Sequence, residues 1–320
     1  MAKFTIKEVF PLLKTSVSGF TDGNALSLAA ALAFNAIFSI PPLLIIIIRA
    51  AGVFFGNEVV SGKLADQLST AIGAGAAEGI QDILKNAKFS GAGGIAFWIG
   101  LGTLIFAATT FFATLQQSLN SMWNLKVKPS NSILYMLRER VFSFGIILSI
   151  ALLLLVSFVI SAAISILSGY LTRFIPDAAV WVIKLVDFVV SFGLITILFG
   201  LIFKYLPDAI IRWKDTLIGA GVTALLFTVG KFLISWYIGT SDPGSAYGAA
   251  GSVIIILIWI YYSSMIVLFG AEFTQQYADR FGQHVRPKLH AVFVEECEVT
   301  EDNDDIAKGR PKPKGRFNKE

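Results

Sequence analysis

Six long apolar stretches alternate along this chain with shorter segments that gather the charges. Ala29–Ile48 runs for twenty positions without a charged residue. Gly91–Leu115, Val141–Ser168 and Ala249–Ala271 read the same way, Asp215–Ile238 is interrupted by Lys231, and Ala178–Phe203 carries Lys184 and Asp187. A helix needs about 20 apolar residues to cross the hydrocarbon core, so each stretch is long enough to span. The pattern predicts an all-α polytopic membrane protein. Its six transmembrane helices fall over about 29–55, 91–115, 141–168, 178–203, 215–238 and 249–275.

Weaker periodicities organise the rest. Residues 1–28 form an N-terminal arm with a short amphipathic helix around Thr5–Gly19, placing Phe4, Val9, Phe10, Leu12 and Leu13 on or near one side. In the first outer loop, 56–90, Val60, Leu64, Leu68 and Ile72 recur every fourth residue, and Ile80, Ile83, Leu84 and Ala87 follow a Gly-Ala break. This predicts two amphipathic helices at the outer interface, as a cap or as a gate. Residues 276–320 form a tail, disordered from about 295, where seven acids over 295–305 precede six bases over 308–319. The first 28 residues lack a short apolar core with a small-residue cleavage site, so span one is expected to act as a retained signal anchor.

Composition agrees: mean hydropathy is +0.70 and charged residues are 15%, against about a quarter in soluble domains. The arm, the loops after spans two and four, and the start of the tail carry thirteen Lys and Arg, among them Lys126, Lys128, Lys204, Arg212, Lys214, Arg280, Arg286 and Lys288. The opposite side carries five: Arg49, Lys63, Lys85, Lys88 and Arg173. Positive loops stay in the cytoplasm, so both termini are expected inside a bacterial plasma (inner) membrane. The same charges suit anionic lipid head groups on the cytoplasmic face. Trp98, Trp123, Trp213, Trp236 and Tyr237 fall near span ends, where aromatic belts are expected. The single cysteine, Cys297, can form no intrachain disulfide.

Catalytic signatures are scarce. Both histidines, His284 and His290, follow the last span, and there is no HExxH, CxxC, G-x-S-x-G or nucleotide-binding G-x-x-x-x-G-K-[ST]. The expectation is therefore no enzyme, no metal, no cofactor and no nucleic acid, and transport, if any, without ATP. Intramembrane polar residues are the transport-pathway candidates, since a charge there costs about 2.5–3.5 kcal/mol on insertion scales. Lys184 and Asp187 share a helical face, as a functional pair or as one that neutralises the segment for insertion. Lys231 lies around the middle of its span, with Glu272 as a distant acidic counterpart. Asn35 precedes Ser39-Ile40-Pro41-Pro42, whose prolines free backbone carbonyls. Transporter sites are built on such broken helices, and ordinary proline kinks look the same. Small residues at Gly91–Gly102, Gly219–Gly221 and Gly248–Ser252 point to close helix packing or a sliding interface.

Three blocks together resemble the YihY/BrkB family of bacterial inner-membrane proteins, once labelled ribonuclease BN. They are Ala29–Phe34 leading to Phe38-Ser39-Ile40-Pro41; Leu206-Pro207 with Arg212–Asp215 and Gly219-Ala220; and Tyr247-Gly248-Ala249-Ala250-Gly251 through Trp259, Tyr261 and Gly270-Ala271-Glu272. The resemblance covers most of residues 5–280, with an aromatic usual where Asn35 stands. It implies a six-helix membrane fold in which Ser39, Pro207, Trp213, Gly219, Tyr247, Gly248, Gly251, Trp259 and Gly270 are structural. It also implies transport of lipidic or amphipathic molecules as one proposed role. The ribonuclease label finds no ligand set in these residues. The functional expectation is a transporter or exporter of a lipidic or anionic small molecule, in contact with membrane lipids and able to form an oligomer. A structural or regulatory envelope protein is the alternative, and a membrane-associated enzyme the third reading.

Overall fold

The computed structural model describes residues 6–39, 56, 61–62, 95–128, 176–241, 247 and 251–294. Among them stand six helices: α1 (Ile6–Asp22), α2 (Ala25–Ser39), α3 (Ile95–Met122), α4 (Pro176–Tyr205), α5 (Trp213–Ser241) and α6 (Gly251–Phe281). The all-α expectation describes the bulk of this, but it missed two short antiparallel ladders. β1 (Leu125–Val127) pairs with β4 (Ala291–Phe293), and β2 (Ala209–Ile210) pairs with β3 (Arg286–Pro287).

Three stretches among the described residues are long and apolar enough to cross a bilayer: Phe188–Tyr205 in α4, Trp213–Ser241 in α5 and Val253–Phe281 in α6. Ala25–Ser39 is a shorter apolar helix. The expected span 141–168, Pro41-Pro42 and nearly all of the outer loop 56–90 lie outside the described residues, as does the tail from 295. Burial has the pattern of a lipid-solvated body. In the most apolar 18 residues of each crossing stretch no more than 33% are buried, while Phe34, Phe106, Phe188, Phe232 and Trp236 point outward.

Small residues set the packing between α5 and α6. Gly219 and Thr223 lie one turn apart on α5, as Gly270 and Thr274 do on α6. A Cβ at Gly219 would sit 2.7 Å from Thr274 Cβ, and one at Gly270 would sit 2.8 Å from Thr223 Cβ. Each glycine thus receives the opposite threonine. Both hydroxyls turn back to carbonyls of their own helix, Thr223 to Gly219 at 2.7 Å and Thr274 to Gly270 at 2.6 Å. The hydroxyls are satisfied within their own helices, and each threonine turns its Oγ1 side toward the facing glycine. Gly230 against Tyr262 continues the seam. Of the glycines expected to pack, Gly219 is one half of such a glycine–threonine pair, whereas a Cβ at Gly102 or Gly221 would meet nothing within 4 Å among the described residues.

α1 and α2 follow α6 in antiparallel sense. Glu8 forms an ion pair with Arg280, Phe20 meets Phe269 edge-on at 6.0 Å, and Ala33 and Ala36 cluster with Ile256 and Ile260. A kink separates the two helices. Gly23 N donates to Gly19 O at 2.9 Å, and Asn24 takes the left-handed conformation (φ 52°). The expected single side of the arm splits in two: Leu12, Ser16 and Gly19 turn inward, while Phe10, Leu13 and Val17 are exposed.

One end of the bundle gathers the charges. Asn124, left-handed at φ 52°, turns the chain from α3 into β1. Pro207 follows α4, where a helix cannot continue. After α6 the chain doubles back and supplies β3 and β4 to the segments following α4 and α3. The loops after the second and fourth expected spans therefore meet the start of the tail, at the same end of the bundle.

Candidate functional site

At that end Asp208 is the hub of a polar network. Pro207 precedes it and β2 follows, so its backbone is held between α4 and the β2–β3 ladder. Its side chain points inward, and the residue is 3% exposed. Asn120 Nδ2 donates to Oδ2 at 2.8 Å, Gln116 Nε2 donates to the same oxygen at 3.1 Å, and Asp208 N donates to Asn120 Oδ1 at 2.8 Å. Gln116 and Asn120 are one turn apart on α3, which lets both reach a single carboxylate. His290 Nε2 stands 2.8 Å from Oδ1, and Lys288 Nζ stands 4.0 Å from it.

Lys288 is held by both ends of its structure. Its backbone N donates to Asp208 O at 2.9 Å and its ammonium to Pro207 O at 2.8 Å. Burial, and to a lesser degree the charge of Lys204, lower its proton affinity against the opposing pull of Asp208. The network thus ties α3, the α4–α5 link and the segment after α6 into one unit. A second tie sits beside it: Gln283 N donates to Asp215 Oδ2 at 3.4 Å. Gly282 makes room for that carboxylate, since a Cβ there would fall 2.7 Å from Asp215 Oδ1.

A cleft of about 380 Å³ opens next to the hub. α3 contributes Ala113, Gln116, Gln117, Asn120 and Ser121, with Asn124, Leu125, Lys126, Val127, Asp208 and Val294 completing the wall. Its chemistry is carboxamide, hydroxyl and one ammonium. Both oxygens of Asp208 are engaged from the protein side, so Gln117, Ser121 and Lys126, all exposed, are the groups able to meet a ligand. Among the described residues, no three His, Cys, Asp or Glu side chains converge as a metal site would need.

The residues singled out in the sequence lie elsewhere. Asn35 Nδ2 donates to Thr114 Oγ1 at 3.0 Å and joins α2 to α3. Glu272 is fully buried on α6, takes a hydrogen bond from Gln276 at 2.9 Å, and packs against Gly19, where an added Cβ would sit 3.1 Å from its Cγ. Lys231 is half-buried, with Nζ 5.7 Å over the Phe232 ring. The α5–α6 register, Gly219 to Thr274 and Gly230 to Tyr262, puts Glu272 and Lys231 about 15 Å apart along the bundle at 1.5 Å per residue.

Lys184 and Asp187 lie on α4 with side chains outside the described residues, and Pro41, Pro42 and Gly248 lie outside the described residues altogether. Ser39, Pro207, Gly219, Gly251 and Gly270 are buried, whereas Tyr247 and Trp213 are exposed. Trp259 meets Phe227 edge-on at 5.9 Å. Trp123, expected in an aromatic belt, is instead fully buried and donates Nε1 to Ala271 O at 2.9 Å. Sequence reasoning missed Gln116, Asn120, Asp208 and the roles of Lys288 and His290. The available signals were a polar run, Gln116-Gln117-Ser118-Leu119-Asn120, on a continuing helix, and an aspartate directly after Pro207.

Comparison with known proteins agrees with these elements. The chain is 28% identical over 274 residues to the UPF0761 membrane protein of Haemophilus influenzae (strain 86-028NP), covering 83% of this chain and 94% of that one. It is 29% identical over 256 residues to the UPF0761 membrane protein of Vibrio parahaemolyticus serotype O3:K6 (77% and 75%). It is 26% identical over 249 residues to the one from Azotobacter vinelandii, of whose length it spans 57%. No solved structure matches. The virulence factor BrkB family matches residues 16–293, from within α1 to the last residue of β4, so the chain belongs to that family and is an integral membrane protein.

Proposed function

We propose that the protein is a transporter or exporter, without ATP chemistry, of a small molecule with an anionic or hydroxyl-rich head and a lipidic body. The carrying observation is the cleft at the charged end. Its exposed carboxamide, hydroxyl and ammonium groups fit a polar head, and the helices around it present apolar side chains outward to lipid. In this reading the charged end faces the cytoplasm of a bacterial plasma membrane. The gathering of Lys126, Lys204, Lys214, Arg280, Arg286 and Lys288 at one end supports that orientation.

The test pairs two measurements. Lipids and small molecules on both sides of the membrane are compared in deletion cells complemented with wild type or with Gln117→Leu/Ser121→Leu. The double variant is expected to insert and melt like wild type yet leave the deletion's redistribution uncorrected. Full correction by the variant would remove the cleft from the pathway. In intact cells, a cysteine placed at Lys63 should react with an impermeant thiol reagent, and one at Lys126 should not.

A structural role is the second reading. It is favoured by the way Asp208 and Glu272 are spent on joining segments of the chain. It predicts that loss of the protein changes envelope integrity without redistributing any molecule.

A further inference from the structure

The charged end carries a corner separate from the cleft. The apolar stretch of α4 ends at Tyr205 and that of α5 begins at Trp213, so the link between them lies where both helices leave the hydrocarbon. Trp213 is 44% exposed. Tyr205 meets its ring edge-on at 5.8 Å, and Lys204 Nζ lies 5.8 Å over its face. Lys204 also donates to Ile211 O, which fixes its stem beneath the corner. Across the β2–β3 ladder, Ile210 is 58% exposed and pairs with exposed Arg286. Lys288 reaches in from the next turn to the carbonyls of Pro207 and Tyr205. Leu289 beside it is 99% exposed.

The acids of this region are turned inward. Asp208 is spent on Asn120, Gln116 and His290, and Asp215 on the backbone of Gln283. What faces out is therefore cationic, aromatic and apolar at headgroup depth. Lys204 and Lys288 stand close enough for the charge of Lys204 to lower the proton affinity of Lys288, against the opposing pull of Asp208, and together they concentrate positive charge at this corner. Tyr and Trp rings prefer the membrane–water interface, and Lys and Arg next to it attract acidic lipids. Exposed Ile210, Trp213 and Leu289 add apolar area beside these cations.

We propose that this corner, Tyr205 and Trp213 with Lys204, Lys214, Arg286 and Lys288, is a docking surface for the phosphate headgroups of anionic phospholipids in the leaflet at the charged end. It stands independently of whether the cleft carries a substrate. The rings sit at the glycerol level and the cations at the phosphates.

The test uses the full chain in nanodiscs of phosphatidylcholine alone or mixed with phosphatidylglycerol, reading the melting temperature. Phosphatidylglycerol is expected to raise it for wild type. Lys214→Gln/Arg286→Gln should melt like wild type in phosphatidylcholine and lose at least half of the rise, its apparent affinity for phosphatidylglycerol falling about tenfold or more. Lys214→Arg/Arg286→Lys should keep the rise. So should Lys126→Gln/Lys128→Gln, which removes equal charge at β1. An undiminished rise in the first variant, or an equal loss at β1, overturns the proposal. So does an equal rise from inorganic phosphate, which would mark a soluble anion site.

Discussion

Replacing Asp208 tests the central tie of the charged end. In Asp208→Ala three donors lose their acceptor: Asn120 Nδ2 (2.8 Å), Gln116 Nε2 (3.1 Å) and His290 Nε2 (2.8 Å). A buried donor left unsatisfied costs about 1–3 kcal/mol. Gln116 and His290 are only partly buried, so water replaces some of what they lose, and the main loss falls on buried Asn120. Members of one network do not add. With the side chains of Lys288 and His290 30% and 39% exposed, the expected total is about 2–3 kcal/mol.

Asp208→Asn should behave differently. Its oxygen, placed at Oδ2, still accepts from Asn120 and Gln116, and its amide donates to a neutral His290 whose Nε2 accepts. That leaves a loss of about 1 kcal/mol from the missing charge. Unfolding in mixed detergent, followed by tryptophan fluorescence, measures both. An Ala variant within about 1 kcal/mol of wild type would refute the hub. An Asn variant as costly as Ala would refute the hydrogen-bond account and assign the tie to charge alone.

Other expectations follow from the same geometry. Because the folded state lowers the affinity of Lys288 for its proton below the ordinary 10.5, the unfolded chain binds more protons between that lowered value and 10.5, and stability gains with rising pH there. The melting temperature of wild type relative to Lys288→Met should therefore climb as the pH rises toward 10.5, and a flat or falling difference would count against it. Gly270→Ala forces a Cβ to 2.8 Å from Thr223 Cβ and Cγ2, an overpacking cost of about 1–3 kcal/mol. Adding Thr223→Gly should recover part of that loss, and a double variant less stable than Gly270→Ala alone would refute the seam. Trp123→Phe removes the bond to Ala271 O and should cost about 1–2 kcal/mol by denaturation. An unchanged midpoint would show that the brace is idle.

Apolar run length is a local property, so long apolar helices are legible in the sequence. Expected 178–203 and 215–238 became Pro176–Tyr205 and Trp213–Ser241. It failed where helices outlast the hydrocarbon. α3 runs on through Gln116, Gln117 and Asn120 to Met122, and α6 through Gln275 and Gln276 to Phe281, since polar residues on an established helix extend it into the headgroup layer. Those overhangs carry the site. The hub was illegible for a second reason: Gln116, Asn120 and His290 reach Asp208 across 82 to 92 residues. Strands of two or three residues leave no periodicity to read. The glycine–threonine seam was half legible, because the small residues were visible and their threonine partners were not.

Lys231 is the residue whose reading changes most. From sequence it stood around the middle of its span, where an ammonium would need an acid, water or an anionic substrate. In the structure α5 begins at Trp213 and its first turn holds Lys214 and Asp215, which belong among headgroups. Counting from Leu217 at 1.5 Å per residue, Lys231 is about 21 Å into a core of about 30 Å. Exposed Trp236 and Tyr237 follow at the depth where the far aromatic belt is expected. A lysine stem covers most of the distance from Lys231 to that boundary, and snorkelling then accounts for the charge. Lys231→Met should therefore change stability by no more than about 0.5 kcal/mol and should complement a deletion as well as wild type. Loss of complementation with an unchanged melting curve would refute the snorkelling assignment and return Lys231 to the transport path. A drop in stability without loss of function would place it in a packing contact instead.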